Sequence, residues 1–263
     1  VLINRITNAV EQYHATKLAS DLQRIRNLVN DINQALVRAE SRSTAETRVC
    51  EIISDADPYR FAWIGGVDEA TQEVIPRASA GIEAAYLDAI TVTVDETPTG
   101  RGPGGTAIRD QRVAVSQDVS DDPAFEPWRD EALERGYKAV AATPLAYEET
   151  LYGELVVYAD RPNAFTKHEQ QLLSELGDDI GHAIHSLELQ ASLREERNRH
   201  QALFANAPTP VIAVDQTDPE YHRIIDVNEA FTDVFGYSAD QVIGSDVADA
   251  VVPKEGLEEH KQY

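Results

Sequence analysis

The sequence is poor in the residues that sulfur chemistry requires. It contains one cysteine, Cys50, and no methionine. A single cysteine excludes an internal disulfide, a thiolate metal cluster and any reaction that needs a cysteine pair. Lysine is scarce as well, with five Lys against eighteen Arg.

Long apolar segments are also missing. No uninterrupted apolar run approaches the ~18–20 residues that a membrane-spanning helix needs, and no signal peptide opens the chain. We therefore predict no membrane contact by this segment and a cytoplasmic location. Because the chain begins with Val1 rather than methionine, we expect its 263 residues to be a piece of a longer protein.

Negative charge dominates the composition. The 46 Asp and Glu residues against 23 Lys and Arg give a net charge of −23. Such a surplus repels phosphate backbones and anionic lipids, so we predict no nucleic-acid partner. The carboxylates are spread along the chain, and together with the few lysines they resemble the composition of proteins from salt-loving archaea. Apolar residues make up 42%, which is enough for a core.

The clearest periodic pattern lies near the N terminus. Apolar residues spaced alternately by four and three form a stripe: Leu18, Leu22, Ile25, Val29, Ile32 and Leu36. A heptad stripe is typical of a coiled coil, and each buried Leu or Ile stabilises by roughly 1.5–3 kcal/mol. We predict residues 1–43 as a signalling helix that forms a homodimer through this seam. The alternative is an amphipathic helix that lies on its own domain.

A second long helix is predicted after Thr166, where Glu169 three residues later completes a capping box. Apolar residues from Leu172 to Leu187 fit one broad buried face. The pattern then loosens over residues 188–204, which we predict as a linker helix. No proline interrupts the helix before Pro208, so it would have ~40 residues and measure ~60 Å.

Between these helices, short strand-like and helical segments alternate. The strand-like stretches cover residues 60–67, 73–81, 91–95, 113–115, 138–147 and 151–159, and helical pieces cover 84–89, 106–111 and 127–135. Leu155–Tyr158 is apolar on both faces, which predicts a central strand covered on both sides. The predicted fold class is α+β: an antiparallel sheet with helices on its faces and a long helix at each end.

Residues 44–187 resemble a GAF domain. The resemblance is carried by Gly104–Ile108 with Val113–Val115, Asp118-Val119 with Asp122–Phe125, Ala142–Leu145, Leu151–Leu155, and Phe165-Thr166 with the helix that follows. The family implies a six-stranded antiparallel sheet with helices on one side and a small-molecule pocket on the other. It also implies signal relay, usually by a dimer through the terminal helices.

Residues 205–263 resemble the first half of a PAS domain, which makes this α+β unit incomplete. The resemblance is carried by Val211–Asp215, Val227–Phe231, Phe235–Ser238 and Val242–Gly244. Residues 1–12 resemble the last helix of a receiver domain. Receiver, GAF and PAS domains in series are typical of sensor histidine kinases, so the implied partner is a downstream kinase or another effector domain. Related GAF domains also occur in archaeal helix-turn-helix activators.

A glycine pattern suggests a different function. Gly100, Gly102 and Gly105 satisfy the G-x-G-x-x-G pattern of dinucleotide-binding loops, which would make the chain a nucleotide-dependent enzyme. The predicted helix that follows is short, Pro103 interrupts the loop, and no acidic residue ends a second strand ~20 positions on. A structural turn is the better interpretation.

Two histidines on the second helix suggest a metal site. His182 and His185 lie three residues apart beside Asp178 and Asp179. The same residues form an ordinary solvated helix face, so we predict no metal site.

Signatures of known cofactors are absent from the sequence. GAF-like reductases that act on free methionine sulfoxide need several cysteines, and bilin attachment needs a cysteine in a pocket loop, whereas Cys50 lies in a predicted helix as a buried hydrophobe. The signature of GAF domains that bind cyclic nucleotides does not occur, and no histidine that could bind haem lies between His14 and His168. The cofactor is unknown, and we predict no catalytic residues.

An aromatic set remains as the candidate ligand pocket. The aromatic candidates are Phe61, Trp63, Tyr86, Phe125 and Trp128, and the polar candidates are Arg101 and Thr143. The alternative is a plain hydrophobic core.

These observations predict a non-catalytic sensory segment. The GAF domain would sense a small molecule of unknown identity and relay the signal through dimeric helices to the PAS domain and a downstream effector such as a histidine kinase. The alternatives are a nucleotide-dependent enzyme using the Gly100–Gly105 loop, a dimerisation spacer filled by its own aromatics, and the input region of a helix-turn-helix activator.

Overall fold

The computed structural model describes residues 12, 23–81, 85–215 and 222–247. The chain divides into two compact units, Val1–Leu189 and Gln190–Tyr263, and each is described by itself. Within the described ranges, every helix is too short or too polar to span a bilayer.

An antiparallel sheet of five strands organises the first unit. The strands are β1 (Tyr59–Val67), β2 (Val74–Gly81), β3 (Ala114–Ser116), β4 (Ala139–Tyr147) and β5 (Thr150–Ala159). Their order is β2-β1-β5-β4-β3, which makes β5 the central strand. The predicted α+β class is confirmed, and β5 contains the doubly covered segment that the sequence predicts.

The sheet has five strands where six were expected. The stretch over residues 91–95 forms one isolated bridge, between Thr93 and Glu73. The pairing ends there because the chain turns back on itself. The Thr93 N–H donates to the Thr99 carbonyl oxygen at 3.1 Å, and the Thr97 N–H donates to the Asp95 carboxylate at 3.2 Å.

Helices cover both faces of this sheet. They are α1 (residues 23–38), α2 (Arg42–Ser54), α3 (Tyr86–Ala89), α4 (Pro103–Asp110), α5 (Arg129–Glu134) and α6 (Lys167–Ala205). Helices α1, α2 and α6 share one buried cluster with one face of the sheet. Helices α3, α4 and α5, with the 3₁₀ turn Pro123–Trp128, share another buried cluster with the opposite face.

Helix α6 is a single helix of 39 residues, close to the predicted length. The predicted capping box is present. The Thr166 N–H donates to Glu169 Oε2 at 3.1 Å, and the Glu169 N–H donates to Thr166 Oγ1 at 3.3 Å. Gly181 lets the helix lie directly on β4, since a Cβ at this position would overlap the backbone of Ala146.

The apolar stripe of α1 is covered by its own unit. Three of the predicted seam residues are at most 8% exposed and belong to the same cluster as the buried face of α6: Ile25, Ile32 and Leu36. Val29 is half-buried, and Leu18 and Leu22 lie outside the described residues. The described part of α1 therefore adopts the alternative arrangement, a helix lying on its own domain. A dimer contact through α1 stays a prediction, and over residues 23–38 it would have to use the other faces of the helix.

Two arginines hold α6 against the preceding helices. Arg24 Nη2 on α1 contacts Glu169 Oε1 at 2.8 Å. Arg42 Nη1 on α2 contacts Glu188 Oε1 at 2.5 Å. The part of α6 that covers the sheet is thus held by one ion pair near each of its ends.

The second unit contains a two-stranded antiparallel sheet and two short helices. The elements are β6 (Ile212–Asp215), β7 (Arg223–Val227), α7 (Glu229–Phe235) and α8 (Ala239–Val242). Buried Asn228 joins them, because its Oδ1 accepts from the Phe231 N–H at 3.0 Å and from the Val211 N–H at 2.8 Å. These elements overlap the segments that carry the resemblance to a PAS domain.

Candidate functional site

A cluster of aromatic rings lies on the face of the sheet opposite α6. Phe61 and Trp63 project from β1, Tyr158 from β5, Tyr86 from α3, and Tyr137 from the loop before β4. The Phe61 and Tyr137 rings stack with centroids 6.0 Å apart, and the Tyr137 and Tyr158 centroids are 4.9 Å apart. All five side chains are buried. We call these five residues the aromatic cluster.

The other two predicted aromatic residues lie against this cluster. Phe125 and Trp128 belong to the same buried group, and their ring centroids are 5.4 Å apart. The indole Nε1 of Trp128 donates to the Thr91 carbonyl oxygen at 2.8 Å. The structure thus brings all five predicted aromatic side chains to one face of the sheet.

The two predicted polar residues are not brought to this face. Arg101 is exposed, and its guanidinium lies 3.9 Å from the exposed carboxylate of Glu96. Thr143 projects to the opposite face, where its hydroxyl donates to the Leu173 carbonyl oxygen at 3.1 Å. Side chains alternate along a strand, so Ala142 faces the aromatic cluster and Thr143 faces α6.

A carboxyl group shares the face of the aromatic cluster. Glu154 precedes Val156 by two residues on β5 and therefore projects to the same side. Its side chain is fully buried, and neither carboxyl oxygen forms a hydrogen bond with a described residue. Burial raises the pKa of Glu154 to about 8. At neutral pH Glu154 is therefore mostly an uncharged acid.

Two glycines make room for this side chain. A Cβ on Gly104 in α4 would lie 2.8 Å from Glu154 Oε1 and 3.0 Å from Val92 Cγ1. Gly65 stands opposite Glu154 on β1, and a Cβ there would lie 2.5 Å from the Trp63 ring. The contacts at Gly104 show that the carboxyl group lies close to Val92.

A cavity of about 110 Å³ lies on the same face of the sheet. Its lining includes buried Trp63 and Val74, half-buried Val92, and exposed Ile75 and Thr91. The cavity has room for several water molecules. Glu154 is not among the lining residues, but Val92 lines the cavity and also lies close to the carboxyl group.

The chain places one of its own cations on the aromatic cluster. The Arg135 guanidinium lies 5.4 Å from the centroid of the Tyr86 ring. Arg135 Nη1 also contacts Glu131 Oε2 at 2.6 Å. Burial raises the pKa of Tyr86 and Tyr158 far above neutrality, so both rings stay uncharged. Uncharged aromatic faces carry a negative quadrupole and attract cations.

Comparison with known families identifies the first unit. A GAF domain profile matches residues 39–185, more than half of the chain. The chain belongs to the GAF domain family. A PAS domain profile matches residues 198–261. Both resemblances are confirmed, and a chain built from a GAF and a PAS domain has a role in signal transduction.

Two curated relatives come from halophilic archaea. A transcriptional regulator from Haloferax volcanii is 28% identical over 171 residues, which cover 63% of this chain and 27% of that protein. The bacterioopsin transcriptional activator from Halobacterium salinarum is 29% identical over 172 residues, which cover 62% of this chain and 23% of that protein. The chain thus spans about a quarter of the length of these relatives.

Solved structures support the GAF fold. The GAF domain of a phosphoenolpyruvate-protein phosphotransferase from Coxiella burnetii superposes with a TM-score of 0.54 at 18% identity, covering 65% of this chain and 98% of that chain. A free methionine-R-sulfoxide reductase from Neisseria meningitidis superposes with a TM-score of 0.52 at 15% identity, covering 63% of this chain and 91% of that chain. At these identities the similarity shows the fold.

The glycine loop of the GAF domain is explained by close packing. A Cβ on Gly102 would overlap the ring of Trp128, and a Cβ on Gly105 would overlap the carbonyl oxygens of Gly100 and Thr93. Each of these glycines is therefore required where the chain approaches itself. This favours the structural turn over the nucleotide-binding loop.

The two histidines of the GAF domain pack against a strand hairpin. The Tyr147 ring lies 4.6 Å from the His182 ring and 4.9 Å from the His185 ring. The His185 Nδ1 and Tyr152 hydroxyl are hydrogen-bonded at 2.7 Å. Across the described part of the chain, no group of three or more His, Cys, Asp or Glu side chains could hold a metal ion. His182 is exposed and His185 is half-buried, so the hairpin covers part of the helix face that the sequence predicts to be solvated.

Cys50 is the buried hydrophobe that the sequence predicts. It lies in α2, and its Sγ donates to the Ala78 carbonyl oxygen at 3.7 Å. Burial raises the pKa of the Cys50 thiol to about 12, so the reactive thiolate is scarcely populated.

Three residues of this face were missing from the predicted set: Glu154, Tyr137 and Tyr158. The sequence does contain a signal for the first of them. Glu154 is the one charged residue in the run Leu151–Ala159, which reads LYGELVVYA. An acid inside a strand predicted to be covered on both sides is costly to bury, and it therefore marks a position with a special role.

Proposed function

We propose that this chain is the sensory input segment of a transcriptional regulator from a halophilic archaeon, and that its GAF domain binds a small molecule beside the aromatic cluster. The observation that carries the proposal is the buried carboxyl group of Glu154, which has no partner among the described residues and lies close to Val92 in the lining of a cavity. A face that served packing alone would be more stable with an apolar side chain there.

The central strand gives a route from the cavity to the helices. Along β5, Glu154 and Val156 face the aromatic cluster, while Leu155 and Val157 face the cluster that contains α1, α2 and α6. Neighbouring residues of one strand thus contact a ligand site and a helix layer. Because both layers are close-packed, a shift of β5 on the cavity side displaces the helices on the other side.

Helix α6 is the element that transmits this displacement toward the PAS domain. It is held by Arg24 and Arg42 while it lies on the sheet. The same helix ends at Ala205, in the unit matched by the PAS profile. A helix that continues from one domain into the next is suited to relay a change in position or rotation.

Dimerisation through the terminal helices belongs to the same proposal. Leu193 and Leu203 on α6 are 57% and 66% exposed, so they remain free to contact a second copy. The effector is proposed from the two relatives, whose names describe transcriptional regulation. A histidine kinase as effector stays a prediction.

A cavity-filling variant tests the proposal in cells. Val92→Phe places a ring in the cavity and blocks ligand entry, while Thr47→Ser changes an exposed position of α2 as a control. RNA sequencing should show that Val92→Phe alters the same transcripts as deletion of the gene, at an unchanged protein level. The control should leave these transcripts as they are.

Two outcomes would contradict the proposal in different ways. If deletion alters no transcripts, the chain does not belong to a transcriptional regulator. If deletion alters transcripts and Val92→Phe does not, the aromatic face is only a core, and the chain acts as a dimerisation spacer.

A further inference from the structure

Glu154 is a buried carboxyl group for which the described chain supplies no hydrogen-bond partner. Buried carboxyl groups normally accept or donate hydrogen bonds, because a buried polar group without a partner is unfavourable. Both oxygens of Glu154 have less than 1 Å² of exposed surface and no hydrogen-bond partner among the described residues. Arg135, the cation that lies on the aromatic cluster, is directed to Glu131 and to the Tyr86 ring.

The cavity gives a ligand access to this carboxyl group. Glu154 Oε1 and Val92 Cγ1 both lie within 3.0 Å of the position that a Cβ on Gly104 would take, so Val92, which lines the cavity, lies close to the acid. We expect a change in the χ1 rotamer of Val92 to open the cavity toward the acid. Trp63 then forms an aromatic wall beside the ligand.

The surroundings favour a positive ligand. An ammonium or amidinium group supplies N–H donors to the carboxyl oxygens and neutralises the charge of the ionised acid, which a neutral donor cannot do. The Trp63 ring attracts cations as well. The net charge of −23 also concentrates small cations around the protein.

We propose that the cavity beside Trp63 and Val92 takes a small organic cation with N–H donors, and that Glu154 is the carboxyl group that binds it. This inference rests on the proposed sensory function, because it names the class of ligand for the same site. It predicts a defined proton balance. The neutral carboxyl group of the free protein gives its proton to the solvent, and the resulting carboxylate pairs with the cation.

Calorimetric titration with three probes tests this inference. Acetamidinium has a charge and parallel N–H donors, acetamide has a similar shape without the charge, and tetramethylammonium has the charge without N–H donors. Acetamidinium should bind with a Kd of about 1 mM or tighter, as the size of such a ligand allows, and the other two at least about 10-fold more weakly. Titrations in buffers of different ionisation enthalpy should show the release of nearly one proton at pH 7 and almost none at pH 9.5, because the pKa of Glu154 is about 8.

A matched pair of variants assigns the effect to Glu154. Glu154→Gln keeps the shape of the side chain, and it should weaken acetamidinium binding at least about 30-fold and abolish proton release. Glu126→Gln removes an exposed carboxylate outside the cavity lining and should change neither by more than about 3-fold, because an exposed charge is screened by solvent. Circular dichroism should show that both variants are folded.

Four results would overturn the inference: acetamidinium fails to bind, acetamide or tetramethylammonium binds as tightly, Glu154→Gln binds as well as the parent, or no proton is released at pH 7. The proposed sensory function would still hold after any of these results if native mass spectrometry finds that the chain retains a different small molecule. A chain that retains none, together with an inert Val92→Phe variant in cells, removes both proposals.

Discussion

The buried acid of the GAF domain makes stability fall as the pH rises. A glutamate in the unfolded chain has a pKa near 4.5, and burial raises the pKa of Glu154 to about 8. Between these two values the folded protein keeps a proton that the unfolded protein has lost. The free energy of unfolding therefore decreases with increasing pH over this interval. A glutamate stabilised by an ion pair would have a lowered pKa and the opposite slope.

The size of this effect follows from the two pKa values. Each pH unit between them lowers the free energy of unfolding by about 1.4 kcal/mol. Over the whole interval the loss is on the order of 5 kcal/mol, and it is complete above a pH of about 8. Water that enters beside the ionised carboxylate reduces this figure. The loss is comparable to the total stability of many small domains.

The Glu154→Gln variant isolates this contribution. Glutamine has the same shape and does not ionise, so comparison with the parent at each pH cancels the titration of every other group. Urea unfolding followed by tryptophan fluorescence reports on the GAF domain, since both tryptophans, Trp63 and Trp128, lie in it. The two proteins should differ little at a pH of about 5, and the variant should become progressively more stable than the parent up to a pH of about 8.

A difference between the two proteins that stays constant over this pH range would refute the reasoning. It would mean that Glu154 has a similar pKa in the folded and unfolded states, and thus a partner or a path to water. A parent that gains stability over the variant as the pH rises would refute it more strongly, because it would require a stabilised carboxylate.

Three further predictions follow from the packing. Arg24→Ala should lower the free energy of unfolding by about 2 kcal/mol, because it removes the cation from the mostly buried Glu169, and hydrogen exchange in residues 23–38 should become faster. Gly181→Ala should destabilise by about 1–3 kcal/mol in urea unfolding, because the added Cβ meets the backbone of Ala146 and this outweighs the gain of about 1 kcal/mol in helix propensity. Cys50 should react with a thiol reagent only as fast as the domain opens, because its thiol is buried and its pKa is raised to about 12.

Controls for these predictions lie on the same elements. Arg26→Ala removes an exposed arginine of α1, and Ser174→Ala adds helix propensity at an exposed position of α6. Arg26→Ala should change stability little, and Ser174→Ala should leave it equal or slightly higher. Equal effects of Arg24→Ala and Arg26→Ala would contradict a stabilising ion pair between Arg24 and Glu169. A stabilising Gly181→Ala would contradict the close approach of α6 to β4, and rapid labelling of Cys50 under native conditions would contradict its burial.

Elements that depend on local interactions could be predicted from the sequence. The start of α6 is an example, because Thr166 and Glu169 satisfy one another within a single turn whatever packs against the helix. The pairing of β4 with β5 is another, since a short turn joins two apolar strands. Asn228 likewise caps α7, because its Oδ1 accepts a hydrogen bond from the Phe231 N–H.

Elements that depend on distant partners could not be predicted in the same way. The stripe on α1 has a heptad spacing, but the spacing does not say whether the apolar surface that covers it belongs to another copy or to the same chain. The structure supplies α6 and α2 as partners for the described part of the stripe. For Thr143 the difficulty is register, because a shift by one residue along β4 exchanges the two faces of the sheet.

The same alternation explains why Glu154 was missing from the predicted site and why it is suited to sensing. An apolar run covered on two sides predicts a central strand without saying which face each residue takes. Once Val156 and Tyr158 are placed against the aromatic cluster, Glu154 must join them, while Leu155 contacts the helix layer. A charge that appears on Glu154 when a cation binds therefore acts on the strand that supports α6.

The Leu155→Ala variant, which loosens this packing, tests the route. It should preserve acetamidinium binding and proton release, but hydrogen exchange in α6 should no longer respond to the ligand. A response of α6 that survives Leu155→Ala would show that the signal leaves the site by another route.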